Sequence, residues 1–108
     1  MGQGNSQSVN RGIITTEMDK LSGEDAVRFV QHLESLGYDS FWIPELFGRE
    51  PMATAGYLLG QTKRISIASG IANIYVRDPH SMLQTRHTLS EFSEGRFILG
   101  LGVSNAGL

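Results

Sequence analysis

The sequence has no cysteine, only three prolines and a single tryptophan in 108 residues. The missing cysteine excludes disulfides, thiolate metal sites and cysteine nucleophiles. Basic charge is also scarce. Nine Lys and Arg stand against eleven Asp and Glu, a formal net charge of −2, which gives no support to nucleic-acid binding, where a basic face is the usual mark. No apolar run approaches the roughly 18–20 residues of a membrane span. What is there is 40% apolar, too much, with too little charge, for a disordered chain. The length suits one ordinary domain. Glycine is in excess: 13 of the 108 residues, about 12% where globular proteins average near 7%.

Residues 1–11, MGQGNSQSVNR, are polar and are expected to form a disordered tail, because they offer almost no apolar surface to bury. No apolar segment follows that could make a secretory signal, so a cytoplasmic chain is expected. Met1-Gly2 with Ser6 fits the N-myristoylation pattern, but any soluble tail with Gly2 and a serine can match it by chance.

Beyond the tail one pattern recurs. Gly12-Ile13-Ile14-Thr15-Thr16 is β-prone. Ser22 offers an N-cap, with Asp25 as a capping-box-like partner. Ala26, Phe29, Val30, Leu33 and Leu36 then follow at helical spacing, and Gly37 stands where a left-handed residue stops a helix. Ser40-Phe41-Trp42-Ile43 is the second strand, ended by Pro44. Pro51 suits the first position of a second helix, whose apolar face is Met52, Ala55, Leu58 and Leu59. Gly56 and Gly60 weaken that helix by roughly 1 kcal/mol each and are candidates for close helix–sheet contact.

Arg64 to Ser69 is the third strand and Gly70 to Arg77 a loop. Asp78 caps and Pro79 opens a third helix, with Met82, Leu83, Leu89 and Phe92 expected inward and Gly95 at its end. Arg96 to Leu101 is the fourth strand. A strand, a helix and two turns need about 25–30 residues, so strand starts near 13, 40, 65 and 97 announce parallel βα repeats joined by right-handed crossovers. The strands read as apolar runs, as expected when both faces are covered. An open doubly wound sheet and a (β/α)8 barrel both fit. Four strands with three helices leave one face partly bare, and a closed barrel needs about 250 residues. Residues 12–108 are therefore expected to be the first part of something larger, or a half that must pair.

Ligands of parallel α/β folds bind at the carboxyl ends of the strands. That rule selects Glu17 and Asp19 after strand one, and Glu45, Gly48 and Arg49 after strand two. After strand three come Gly70, Ala72, Asn73, Tyr75, Arg77 and Asp78. After strand four come Gly102, Ser104 and Asn105. Each has a plain structural reading beside the functional one. Glu45 and Arg49, four apart, can be a surface pair, and Asp78 is first a helix cap. Asn73 tolerates left-handed dihedrals, and glycine after a buried strand can serve a turn or a close backbone approach. His80 and His87 lie two helical turns apart without a ligand cluster, so with His32 they read as surface residues. Gly100-Leu-Gly102 opens like a dinucleotide fingerprint, but Asn105 takes the third glycine's place. G-x-S-x-G is absent.

Three strings carry a resemblance: Pro44-Glu45-Leu46-Phe47-Gly48-Arg49; Ala68-Ser69-Gly70-Ile71-Ala72-Asn73-Ile74 running into Arg77-Asp78-Pro79; and Gly95-Arg96-Phe97-Ile98-Leu99-Gly100-Leu101-Gly102-Val103-Ser104. In this order they resemble the luciferase-like monooxygenase superfamily, most closely its deazaflavin-dependent branch. The resemblance covers residues 12–108, and the last string is its most specific part.

It implies a (β/α)8 barrel of roughly three times this length. It implies hydride transfer or oxygen insertion at a ring seated at the carboxyl mouth, carried by the deazaflavin coenzyme F-420 as first choice or by FMN. It places a non-prolyl cis peptide at Gly70-Ile71 behind the ring, with Ala72 and Asn73 beside it. Gly102, Val103, Ser104 and Asn105 would border the ring and the cofactor's side chain. Glu45 becomes the acid/base candidate. Relatives often carry His where this chain has Asn105, and Asn cannot shuttle a proton near neutral pH.

The partner expected is a small-molecule substrate, with neither nucleic acid nor membrane, and the open sheet edges offer a route to a homo-oligomer. The isolated 108-residue chain is expected to show little or no activity. Two alternatives stand beside the oxidoreductase reading: a non-catalytic half-barrel that self-associates, and a small Rossmann-type nucleotide binder. A strand order reversed about strand one favours the Rossmann fold; a consecutive order favours the barrel.

Overall fold

The computed structural model describes residues 11–45, 48–73 and 76–102. The expected tail, apart from Arg11, lies outside them, as do the site candidates Tyr75, Val103, Ser104 and Asn105. The elements run in the order β1 (Gly12–Ile14), a 3-10 turn (Glu17–Lys20), α1 (Gly23–Ser35), β2 (Ser40–Ile43) and α2 (Pro51–Gly60). They continue with β3 (Ser66–Ser69), β4 (Ala72–Asn73), α3 (Pro79–Phe92), β5 (Phe97–Ile98) and β6 (Leu101–Gly102). β1, β2, β3 and β5 form one parallel sheet in that order, and β4 pairs with β6 in a second, also parallel. The order is consecutive, so the barrel-type winding holds and the Rossmann alternative does not. No helix among the described residues is long and apolar enough to cross a membrane.

The caps form where the sequence places them. Ser22 Oγ accepts the Asp25 N–H at 3.1 Å, while the Asp25 carboxylate turns outward to Arg28. Gly37, at φ +88°, closes α1: its N–H reaches Glu34 O and the Tyr38 N–H reaches Leu33 O, both at 3.1 Å. Pro51 opens α2, with Glu50 accepting the Ala53 and Met52 N–H groups at 2.7 and 3.1 Å. Pro79 opens α3, with Asp78 accepting the Ser81 N–H at 2.9 Å.

In register, parallel strands point paired residues to the same face. The row Ile13, Phe41, Ile67 and Phe97 meets the helices, joined in one core by Val30, Leu33, Leu58 and Leu59. Phe29 of α1 stands edge-on to Phe41, with ring centroids 6.0 Å apart. The opposite row is Ile14, Trp42, Ala68 and Ile98. Its ends are uncovered, Ile14 at 58% and Ile98 at 40% exposure.

Several expectations are corrected. Strand four is two short strands, because the chain breaks at Leu99-Gly100 and pairs afterwards with β4, which itself interrupts the expected loop. Leu36, Leu83 and Phe92 are exposed rather than inward; Leu36 caps α1, and the inward stripe of α3 is carried by Met82 and Leu89. Gly56 meets Leu89 of α3, where a Cβ would stand 3.3 Å from Cδ2, so its close contact is helix to helix; Gly60 meets nothing within 4 Å.

Glu34, buried on α1, accepts the N–H groups of Lys63 and Ile65 at 2.9 and 2.8 Å, and that of Arg64 between them. It fastens α1 to the α2–β3 turn. Burial pushes its carboxyl up, but the three backbone donors outweigh that and hold it below the ordinary glutamate value. A depressed folded value means that the stabilisation is fully present above about pH 4.5 and is lost as pH falls through the folded value. Glu34→Gln is expected to cost about 1–2 kcal/mol at neutral pH and to flatten the acid limb of stability. Urea melts of both proteins at neutral pH and below pH 4 check this; an unchanged acid limb would refute it.

Candidate functional site at the carboxyl ends of the strands

The carboxyl ends of β2, β3, β4 and β6 lie together, and the clusters predicted there separate into two kinds. The first is structural. Glu17 pairs with Lys20 at 3.2 Å in solvent. Asp19 Oδ1 accepts the Arg49 N–H at 3.0 Å, and the Arg49 guanidinium donates to Met18 O at 2.5 Å and to Leu21 O. Gly48 follows from that closure, since a Cβ would lie 2.0 Å from Asp19 Oδ2. The supposed Glu45–Arg49 pair is therefore not made: Arg49 is turned back onto the 3-10 turn.

Glu45 belongs to the second kind. Its Oε1 accepts the Asn73 N–H at 2.7 Å and Arg77 Nη1 at 2.5 Å. Arg77 Nη1 also donates to Asn73 O at 3.1 Å, and Nη2 donates to Glu50 Oε2 at 2.7 Å. The Arg77 and Glu45 side chains are only 13% and 18% exposed, so solvent screens their attraction little. The bond to Glu45, set against partial burial, raises Arg77 above the usual arginine value. Partial burial pushes the Glu50 carboxyl up, but the Ala53 N–H, Arg77 and the Met52 N–H outweigh it and bring it below the usual carboxylate value.

Behind this group the Gly70-Ile71 peptide is cis, as the resemblance implies. Ile71 leaves it 47% exposed, with its side chain against Gly102, where a Cβ would meet Cδ1 at 2.1 Å. Gly70 lies against Trp42, its Cβ position 2.9 Å from Cε3. Ala72 is buried, and Ala72 and Asn73 pair with Leu101 and Gly102. The structure thus brings Glu45, Gly70, Ile71, Ala72, Asn73 and Gly102 together; Val103, Ser104 and Asn105 lie outside the described residues. His32, His80 and His87 are exposed, and among the described residues no His, Cys, Asp and Glu cluster could hold a metal.

Trp42 is not anticipated as a site residue from the sequence, and Arg77, selected after strand three, is not anticipated as the partner of Glu45. Trp42 could have been found: alternation in Ser40-Phe41-Trp42-Ile43 sends it to the face opposite Phe41. Arg77 stands 32 residues from Glu45, and no local spacing announces that pair.

Three comparisons bear on this arrangement. The sequence pattern of the luciferase-like monooxygenase family matches residues 5–107. The N-acetyl-S-alkylcysteine monooxygenase of Bacillus subtilis is 30% identical over 90 residues, 78% of this chain and 27% of its own. The coenzyme F420 dependent tetrahydromethanopterin reductase of Methanopyrus kandleri superposes with a TM-score of 0.81 at 24% identity, over 92% of this chain and 28% of that one. The oxygenating constituent of 3,6-diketocamphane monooxygenase from Pseudomonas putida, solved in complex with FMN, superposes at 0.78 with 22% identity, over 91% and 30%. The chain thus spans somewhat over a quarter of the length of these relatives.

Proposed function

The chain belongs to the luciferase-like monooxygenase family, and from that premise we propose that residues 12–108 form the opening strands of an oxidoreductase barrel that binds a deazaflavin or FMN ring at the carboxyl ends of β2, β3, β4 and β6. The observation that carries this reading is the 2.7 Å bond from Asn73 N–H to Glu45, which joins the acid after β2 to the short strand after β3. The relatives that superpose on this chain are described one with coenzyme F420 and one with FMN.

The residues present suit one side of such a ring. A planar heteroaromatic needs an apolar face and a few fixed polar groups. Ile71 offers the first, exposed at the edge; Glu45 and the Asn73 peptide offer the second. The Ile14–Trp42–Ala68–Ile98 row, uncovered at its two ends, fits the inner wall of a barrel completed by further strands. Both arginines at this edge, Arg49 and Arg77, are committed to protein partners, so a phosphate tail would draw its donors from elsewhere. When bound, the cofactor supplies the hydride for reduction of a small molecule or activates oxygen for insertion. Gly70, Ile71, Ala72 and Asn73 would support the ring, and Gly102 with Val103, Ser104 and Asn105 would border it. Glu45, within hydrogen-bond reach of that edge, is the group placed to take or give a proton there.

Amide NMR of the 108-residue chain titrated with FMN and with the deazaflavin coenzyme tests this. Saturable shifts are expected at Glu45, Gly70 to Asn73 and Gly102, with a dissociation constant of about 0.1–1 mM, because most of the enclosing barrel is missing, and with negligible turnover. Shifts confined to the outer helices would sink the assignment.

A further inference from the structure

Asn73 is held through both of its main-chain groups. Its N–H donates to Glu45 Oε1, and its carbonyl accepts from Arg77 Nη1, which also donates to that same Oε1. The other arm of the guanidinium reaches Glu50, the N-cap of α2, a helix seated in the core through Ala55, Leu58 and Leu59. One cation from the β4–α3 connection therefore ties a strand end, a helix start and the two-residue strand β4. β4 itself is two residues long, in register with Leu101 and Gly102, and its Ala72 N–H donates to Gly100 O at 2.8 Å.

We propose that Arg77 is a positioning residue: its two-pronged bond to Glu45 and Glu50 fixes the Glu45 carboxylate against the Asn73 peptide, and so sets the form of the β3–β4 segment on which a ring would rest. This deepens the reading of the site given above and rests on it. Arginine is needed here for its shape. Its donors are planar and fixed, so a single group can hold two carboxylates and a carbonyl at once, whereas an ammonium is a point charge on a flexible stem and cannot span them. At 13% exposure the fork is largely withdrawn from water, so the three contacts have few competitors.

The test compares Arg77→Met, Arg77→Lys and the unaltered chain by amide hydrogen exchange, FMN titration and thermal melting. In both variants the Asn73 N–H is expected to exchange about tenfold faster or more, while Phe41 and Ile67 in the core stay protected. FMN binding read at Ile71 and Asn73 should weaken by about tenfold or more in both. Arg77→Lys, which keeps the charge, should melt close to the unaltered chain, so that lost affinity separates from lost stability. Should Arg77→Met fail to fold, Arg77→Lys carries the test alone. A folded variant with unaltered Asn73 exchange and FMN affinity overturns the proposal, as does deprotection of Asn73 that merely follows the core amides. If FMN shifts no amide in the unaltered chain, the ring-binding reading falls, and the Asn73 exchange rates still decide the role of Arg77.

Discussion

Arg96→Met is expected to destabilise the protein by about 3 kcal/mol, a fall in Tm of roughly 12–24 °C for a domain of this size. α2 ends at Gly60 with no basic residue in its last turn, so its final carbonyls lack a cation of their own. Arg96 supplies one from the far side of α3. Nη2 donates to Leu59 O at 2.9 Å and Thr62 O at 3.2 Å. Nη1 donates to Ile65 O at 2.9 Å and Thr62 Oγ1 at 3.0 Å, and Nε donates to Ser93 O at 3.2 Å. Each of these partners is an oxygen without formal charge, so the guanidinium acts as a helix C-terminal clamp rather than half of an ion pair. Met keeps much of the stem's apolar contact and removes the donors, which isolates their loss; Arg96→Lys should fall between. Thermal melts by circular dichroism decide it, and a loss below about 1 kcal/mol would mean that water replaces the clamp without difficulty. The Gly95-Arg96-Phe97 string therefore has a structural cause beside its family likeness: Gly95 turns the chain at φ +85°, Arg96 grips α2, and Phe97 enters the core.

What could be read in the chain is what local physics decides. Ser22, Pro51, Asp78-Pro79 and Gly37 act within one turn of their own position, and each starts or stops a helix where its chemistry predicts. The winding was legible too, because three strand–helix units of similar length followed by a fourth strand leave few topologies. Contacts made at a distance were not. Glu45 has Arg49 four residues away and yet pairs with Arg77, because Arg49 is taken by carbonyls of the 3-10 turn. Leu83 and Phe92 look like core residues by type, but α3 needs only Met82 and Leu89 to reach the neighbouring elements. The break in the fourth strand is hidden for the same reason. Arg96 to Leu101 is a continuous β-prone run, and only the approach of Ser69 shows why Gly100 interrupts it.

Gly100→Ala is the second large effect, about 3 kcal/mol or more. A Cβ there would stand 2.2 Å from the main-chain oxygen of Ser69, a buried atom that cannot withdraw without parting β3 from the chain after β5. The same two residues share a pair of bonds, Ser69 Oγ donating to Gly100 O at 2.8 Å and accepting the Gly100 N–H at 2.9 Å, so one displacement costs both. Gly102→Ala presents a shorter clash on paper, 2.1 Å, but with Ile71 Cδ1, the tip of a half-exposed side chain that can rotate aside. Its cost should stay below about 1 kcal/mol, and Ile71→Ala in the same chain should remove it. The two glycines therefore differ in kind. Gly100 is required by the backbone of the fold itself. Gly102 is required only while Ile71 lies over it, and Ile71 is the apolar group offered to a ring. Gly102→Ala should accordingly leave urea stability nearly intact while moving Ile71 and weakening FMN binding; equal losses of stability in the two variants would refute this division.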